Sequence, residues 1–499
     1  MLTRRKKINK VIVLSVSLIF AAVGIAFIAL TRAAEPNLSQ ANIWVDSNGG
    51  SCTRTATAGG YVDTAACGSL QTAWSLAQDG DVIIIKNNSS SYGDQSTSGD
   101  KNGTVSVYGE SKSGVKFSSL NTSGSNLYMS NLTVDTGTTK AKGWNNSSSN
   151  VTLDGVDLLG DYIVNRIDGD ASAHVTSINN VTYKNGNAGT PGRVGGKRTC
   201  NSTPQDNEPF WVEDATNVTF DNINFSAFGS DPTPCPSSYN GFHLETIRVD
   251  YGAHNLTIKN SYFAPGSEDG SGRVFITQYS GGSSSGAPKN FVFQNNIVHE
   301  VDGFFSIQIN SVVTTCSNYV IAYNTFVQEV SIPCDASTWR WIGNLGPKPS
   351  STCYGTYIKN VWQHNVNTSC GSDTWVNGPA YSLSAAGLDS DLRLTAQSPA
   401  LNKAEPPGTS DYCTHELGAV DIDKQLRPSG IACDAGADEF ATSSPPTAKP
   451  GDLNSDGKVD ITDLSTLLSN YGKTGAGDIN SSGQVDIFDL SILLSNYGK

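Results

Sequence analysis

Over most of its length the chain alternates apolar and polar residues in short stretches and interrupts the alternation with Asn, Gly and Asp. That pattern predicts many strands joined by tight corners, and few helices. One stretch recurs as "NVTLDG" from Asn150, "NVTYKN" from Asn180, "NVTFDN" from Asn217, "NLTIKN" from Asn255, "NFVFQN" from Asn290 and "NVWQHN" from Asn360, with a weaker copy, "YVIAYN", from Tyr319. A recurring strand with turns marks a solenoid, in which each coil buries its apolar row only by stacking on its neighbours. Asn and Gly tolerate left-handed backbone, so Asn185, Asn222, Asn260, Asn295, Asn324, Asn365 and Gly155 are expected at chain corners. Stacked corners would let Asn side chains hydrogen-bond along the solenoid.

The alternation gives way to a helical period in "CGSLQTAWSLAQDGDVIIIK". Ser69 is the expected N-cap, Leu70, Ala73, Trp74 and Ala77 share one face, Gly80 ends the helix, and Val82 to Ile85 starts the first coil. Such a helix plugs the open end of a solenoid, which otherwise exposes strand edges. With these features residues 41–440 resemble the right-handed parallel β-helix of the pectate-lyase-like class. The closing "SPALN" and "DIDKQLRPSGIACDAGADEF", ending at Phe440, resemble the terminal segment of surface-displayed bacterial β-helix proteins, with Asn402 where Asp is usual.

Composition agrees with a turn-rich β protein, since only 16% of residues are charged and 50 are Gly. A net charge of −13, with no basic patch beyond the first ten residues, excludes a nucleic-acid partner. Arg4, Arg5, Lys6, Lys7 and Lys10 precede an apolar run from Val11 to Leu30, so residues 1–34 are expected to export the chain as a signal peptide or an N-terminal membrane anchor. That makes the protein extracellular or surface-bound, touching membrane only through this segment. The 10 cysteines form no CxxC pair and read as disulfides; neighbour pairing would join Cys52 to Cys67 and Cys413 to Cys433, among others.

β-Helix enzymes act on polysaccharides through paired carboxylates or through calcium-assisted proton abstraction. The motifs that carry polygalacturonase or pectate lyase catalysis are absent, so no catalytic residue transfers by resemblance. The densest ionisable patch is "FHLETIRVDYGAHNLTIKN". A corner near Thr246 would put His243, Glu245, Arg248 and Asp250 on adjoining outer faces of one coil, as catalytic candidates. Trp211, Glu213 and Arg273 from neighbouring coils are candidate substrate contacts. The plainer alternative for the ionisable group is a salt-bridged surface, and for Trp211 and Trp362 it is burial in the stack.

After a Pro/Ser linker at 441–450 the chain repeats itself over 451–499. The first copy spaces Asp452, Asn454, Asp456, Lys458, Asp460 and Asp463 at loop positions one, three, five, seven, nine and twelve; the second spaces Asp478, Asn480, Ser482, Gln484, Asp486 and Asp489 likewise. Alternate residues of that tight turn converge on one point, which is the calcium loop of an EF-hand, with Lys458 and Gln484 offering carbonyl oxygens. Each loop runs into one amphipathic helix. The pair resembles a type I dockerin, which implies calcium-dependent folding and docking onto a cohesin domain. In that family loop positions ten and eleven, here Ile461 with Thr462 and Ile487 with Phe488, set partner choice. The Lys-Arg usual farther along the helix is replaced by Leu468 and Ser469, and by Leu494 and Ser495.

The expected protein is therefore an exported, polysaccharide-active β-helix that engages or degrades extracellular polysaccharide, any cleavage proceeding by hydrolysis or elimination, tethered by a calcium-binding dockerin-like module. The alternative is a non-catalytic carbohydrate-binding or adhesin-type surface protein.

Overall fold

The computed structural model describes residues 37–137, 141–160, 163–169, 178–189, 210–226, 244–250, 252–264, 272–277, 289–299, 307–309, 317–328, 330–331, 338–347, 355–364, 371–377, 382–404, 419–440, 451, 453, 459–473, 477, 479 and 484–497. The chain divides into two compact units, residues 1–170 with 177–189, and residues 171–176 with 190–499.

In the first unit the chain visits three sheets in turn and then returns to the first. One coil places Val151–Asp154 in the first sheet, Asp157–Leu159 in the second and Ile163–Asp168 in the third. Val151 stands opposite Leu127 of the coil before and Val181 of the coil after, and the pairing is parallel. Parallel neighbours need a long return connection, and here the other two sheets supply it. Val151 and Leu153 are buried while Thr152 and Asp154 are half-buried, the alternation seen in the sequence.

Helix α1, Leu70–Leu76, is capped as expected: the Ser69 hydroxyl accepts from the Thr72 amide at 3.2 Å. Its buried Trp74 donates to the Gly99 carbonyl at 2.9 Å, and the Leu70 amide donates to Gln95 Oε1 at 2.8 Å. The helix thereby covers the terminal strand Asp94–Ser98. It stops at Leu76, before Gly80; that glycine, at φ 82°, instead turns the chain into the strand Val82–Ile85. Cys52 and Cys67 are disulfide-bonded, as neighbour pairing predicted. Cys433 is disulfide-bonded too, and its expected partner Cys413 lies outside the described residues.

The second unit repeats the architecture, with first-sheet strands at Ala215–Asp221, His254–Lys259, Val292–Gln294 and Val320–Ala322. Two rows of asparagine run along it. On the outside, Asn255 donates to Asn217, Asn290 to Asn255 and Asn318 to Asn290, at 3.0, 2.8 and 3.0 Å. Inside, Asn296, Asn324, Asn344 and Asn360 are fully buried. The amide and side chain of Asn296 both donate to Asn324 Oδ1 at 2.9 and 3.0 Å, and the same two bonds run from Asn324 to Asn344 and from Asn344 to Asn360. The remaining side-chain hydrogens of Asn324 and Asn344 go to the carbonyls of Phe293 and Ile321, so each buried amide is fully used.

The corners fall where expected at Gly155, Asn185, Asn222, Asn260 and Asn295, all with positive φ. Asn365 lies outside the described residues. Asn324 is not a corner: Tyr323 takes the left-handed position at φ 52°, and Asn324 joins the interior ladder one residue later. The sixth repeat also shifts, because "VWQH" at Val361–His364 pairs with Leu345–Pro347 in the second sheet. The first-sheet strand of that coil is Thr356–Ile358, opposite Arg340–Ile342.

The terminal segment begins with helix α2, Leu383–Ala386, and lies across the second sheet. Its Leu388, Leu392, Leu394, Ala435 and Ala437 pack with Ile297, Leu345 and Val361 of that sheet. Farther on, helices α3, Ile461–Ser469, and α4, Ile487–Asn496, enclose Val459, Leu467, Val485 and Leu493. Gly451 and Gly477 face the opposite copy's helix: a Cβ on Gly451 would stand 2.9 Å from Leu493 Cα, and one on Gly477 3.4 Å from Leu467 Cα. Each repeat is thus completed by its twin.

Among the described residues no helix is long and apolar enough to cross a membrane. Residues 11–30 lie outside them.

Candidate functional site

Two third-sheet strands of the second unit, Phe210–Glu213 and Leu244–Val249, pair with Trp211 opposite Arg248 and Val212 opposite Val249. Phe210, Val212, Ile247 and Val249 are buried, so the alternation turns Trp211 and Arg248 outward. The Arg248 guanidinium carbon lies 4.3 Å over the Trp211 ring, and its Nε donates to Asp250 Oδ2 at 2.8 Å. The Asp250 side chain is 1% exposed and held away from bulk water, while that of Arg248, at 11%, keeps an edge at the surface. A cation stacked on an aromatic face and anchored by a buried carboxylate is fixed in direction before any ligand arrives.

This arrangement corrects the expected one. The strand runs unbroken through Thr246, so positions 245 and 248 have opposite parity and the corner that would align Glu245 with Arg248 and Asp250 is absent. Arg273 stands opposite Glu245 in the parallel register. His243 lies outside the described residues. Asp250 is buried rather than outward, and its amide donates to the Val212 carbonyl at 2.9 Å. Glu213, 5% exposed, closes the neighbouring strand as a buried group rather than an open substrate contact. Trp362 is core: it is fully buried and donates to Asp373 Oδ2 at 2.6 Å.

One residue escaped the sequence reading. Asp214 follows Glu213 at the same corner, is fully buried, and holds φ 48°. In a sequence an Asp at a coil corner reads as a turn residue. Its burial beside Glu213 is what the sequence does not carry.

In the carboxyl-terminal module the position-twelve carboxylates are fully buried. Asp463 Oδ1 accepts the Leu453 amide at 2.8 Å and Oδ2 the Asp460 amide at 2.9 Å, tying the start of the loop to its end. Asp489 does the same with Ile479 and Asp486, both at 2.8 Å. Asp460 also accepts the Thr462 amide at 2.8 Å, so position nine caps α3. Asp463 and Asp489 each accept two backbone amides through their carboxylate oxygens, and the all-oxygen donor set of the loops fits calcium. Gln484 is exposed, consistent with a carbonyl contribution only. Asp452, Asn454, Asp456, Lys458, Asp478, Asn480 and Ser482 lie outside the described residues. Ile461 and Ile487 are exposed, at 64% and 57%, as docking positions would be, and Thr462 is exposed beside Ile461. Phe488 lies in α4, and its side chain is outside the description.

A third acidic group, Asp421, Asp423 and Asp438, brings carboxylate oxygens within 4.8 Å of one another. Arg393 already serves it, with Nε donating to Asp423 at 2.6 Å and lying 3.9 Å from Asp438.

The coils and their three parallel sheets define the chain as a parallel β-helix protein. No protein-family model matches it, and no curated protein matches it. Among solved structures it is similar to pectate lyase Pel9A, at 14% identity and TM-score 0.43 over 80% of this chain and 96% of that one. It is also similar to the Azotobacter vinelandii mannuronan C-5 epimerase AlgE6 A-module, at 13% identity and TM-score 0.36 over 62% of this chain and 92% of that one. Neither likeness carries a residue role to this chain.

Proposed function

We propose that this is an exported protein whose β-helix engages acidic extracellular polysaccharide on the outer face of its third sheet, at Trp211 and Arg248, and that a calcium-loaded dockerin-like module tethers it. The observation that carries this reading is the stacked Arg248 guanidinium clamped by Asp250. A uronate sugar offers the two features that pair fits, a carboxylate for the cation and an apolar ring face for the indole. Binding rather than scission is the part the described residues support, because Arg248 and Asp250 form an ion pair and neither is free to act as a general base. Cleavage, by hydrolysis or elimination, is the stronger form of the proposal and would draw on Glu245 or His243.

The Cys52–Cys67 disulfide supports an oxidising compartment. The paired carboxylates Asp463 and Asp489 support calcium at the two loops, with Asp452, Asn454, Asp456, the Lys458 carbonyl and Asp460 completing the first and Asp478, Asn480, Ser482, the Gln484 carbonyl and Asp486 the second. Calcium there would neutralise the converging carboxylates and fix the loops, presenting Ile461, Thr462, Ile487 and Phe488 to a cohesin-type domain. A screen of the full chain against acidic and neutral polysaccharides, scoring reducing ends and unsaturated products, tests the enzymatic form. Either product supports cleavage; binding to acidic chains without product supports the adhesin; binding to none defeats both.

A further inference from the structure

In the first unit the outward polar groups are used unevenly. On the outer face of the first sheet Asp154 is fully engaged: it accepts from the Tyr128 hydroxyl at 2.8 Å and from Asn185 Nδ2 at 2.7 Å, and pairs with Lys184 at 3.0 Å. The third sheet differs. In its strands Ser119–Ser123 and Ala141–Asn146 the side chains of Leu120, Thr122, Trp144 and Asn146 are buried, which turns Asn121 and Asn145 outward and opposite one another. Neither of these two side-chain amides has a hydrogen-bond partner among the described residues.

Where the same strands begin, Asp94, Ser119, Asp135, Thr136 and Lys142 line an open cleft of about 580 Å³, room for a short stretch of glycan. Its walls are polar and of mixed sign. Asp94 stands opposite Ser119 in the register, and the Ser119 hydroxyl donates to Asp94 Oδ1 at 2.7 Å. The Gly137 amide donates to Asp135 Oδ1 at 2.9 Å. Each carboxylate is therefore oriented through one oxygen and keeps the other without a protein partner among the described residues. The exposed Lys142 ammonium has no such partner there either.

We propose that this cleft binds a neutral sugar chain, whose hydroxyls donate to Asp94 and Asp135 and accept from Lys142, and which runs on over Asn121 and Asn145. Charge selects the ligand. A uronate would meet two carboxylates and an amino sugar the Lys142 ammonium, and each such pairing opposes binding. A hydroxyl both donates and accepts, so it serves either sign, and bonds to charged groups are the stronger kind. The water that the free oxygens and amides now hold is replaced by groups of the same hydrogen-bonding capacity. This chemistry is the opposite of that at Arg248 and Trp211, and the cleft carries the proposal whether or not that pair receives a uronate.

Affinity electrophoresis of the full chain through gels containing a soluble β-1,4-glucan, β-1,4-mannan or β-1,4-galactan tests the cleft. At least one should retard the chain. Asp94→Ala/Lys142→Ala and, separately, Asp135→Asn should weaken that binding by about tenfold or more. Lys116→Ala removes an exposed charge outside the cleft and should leave it unchanged. The substituted groups lie at the surface of the cleft, so an unchanged urea midpoint will show that the variants fold. Retardation by none of the three polymers, or retardation that survives both cleft variants, overturns the proposal. A calcium site that titrates in the wild type and is missing from Asp135→Asn would overturn it too, in favour of a cation between the two carboxylates.

Discussion

Replacing Arg248 with Met keeps much of the side chain's length and removes its charge. Asp250, with a side chain 1% exposed and Oδ2 2.8 Å from Arg248 Nε, then loses the cation that justifies its burial. Breaking a buried pair in this way costs about 3–5 kcal/mol, to which the lost stacking on Trp211 adds about 1 kcal/mol. Asp250→Asn retains an acceptor and sheds the charge, so it should cost about 1–3 kcal/mol. In Arg248→Met/Asp250→Asn neither charge remains, and the double variant should be more stable than the sum of the singles by about 2 kcal/mol or more. Urea unfolding at fixed calcium, followed by tryptophan fluorescence, supplies the cycle. Single effects that add within about 0.5 kcal/mol would refute the claim that Asp250 holds Arg248 in place.

Calorimetric titration of the full chain with calcium should show two unequal sites. Ser482 in place of the first loop's Asp456 removes a charge from the second, so the second should be weaker; one site, or none, contradicts the loop assignment. Asp463→Ala should abolish the tighter site, because it removes both bonds that join Leu453 to Asp460. Asn324→Ala should lower stability by about 3 kcal/mol, since it strips partners from the Asn296 amide, the Phe293 carbonyl and Asn344 inside the stack. A change below about 1 kcal/mol in urea unfolding would mean the interior ladder contributes little.

The recurring strand and the corner chemistry were largely legible because a period of two and left-handed Asn are local signals, but the number of coils was not: the seven stretches stand against twelve strands in the first sheet. The strands after Asn150, Asn180, Asn217, Asn255 and Asn290 all lie in the first sheet. The same signal misplaced "NVWQHN", since alternation is identical on every face of a solenoid and cannot say which sheet a strand joins. In "QNNIV" two asparagines adjoin: Asn295 makes the corner and Asn296 the ladder. Later coils keep only the ladder asparagine and give the corner to Tyr323, Gly343 or Lys359, because the stack needs an amide while the corner needs only tolerance of positive φ. The site was half legible. Trp211, Arg248 and Asp250 do come together, but the role of Asp250 depends on burial, and the parity at Glu245 on a strand that continues where a corner was expected.

The central claim is that Arg248 on Trp211 receives an acidic sugar. It is tested most directly by measuring the affinity of the full chain for a uronate polymer and for the same polymer with its carboxylates reduced to alcohols, in wild type and in Arg248→Gln. The account predicts binding at least tenfold tighter to the acidic polymer, weakened by salt and lost in the variant. Equal affinity for the two polymers, or an unchanged preference in Arg248→Gln, would contradict it.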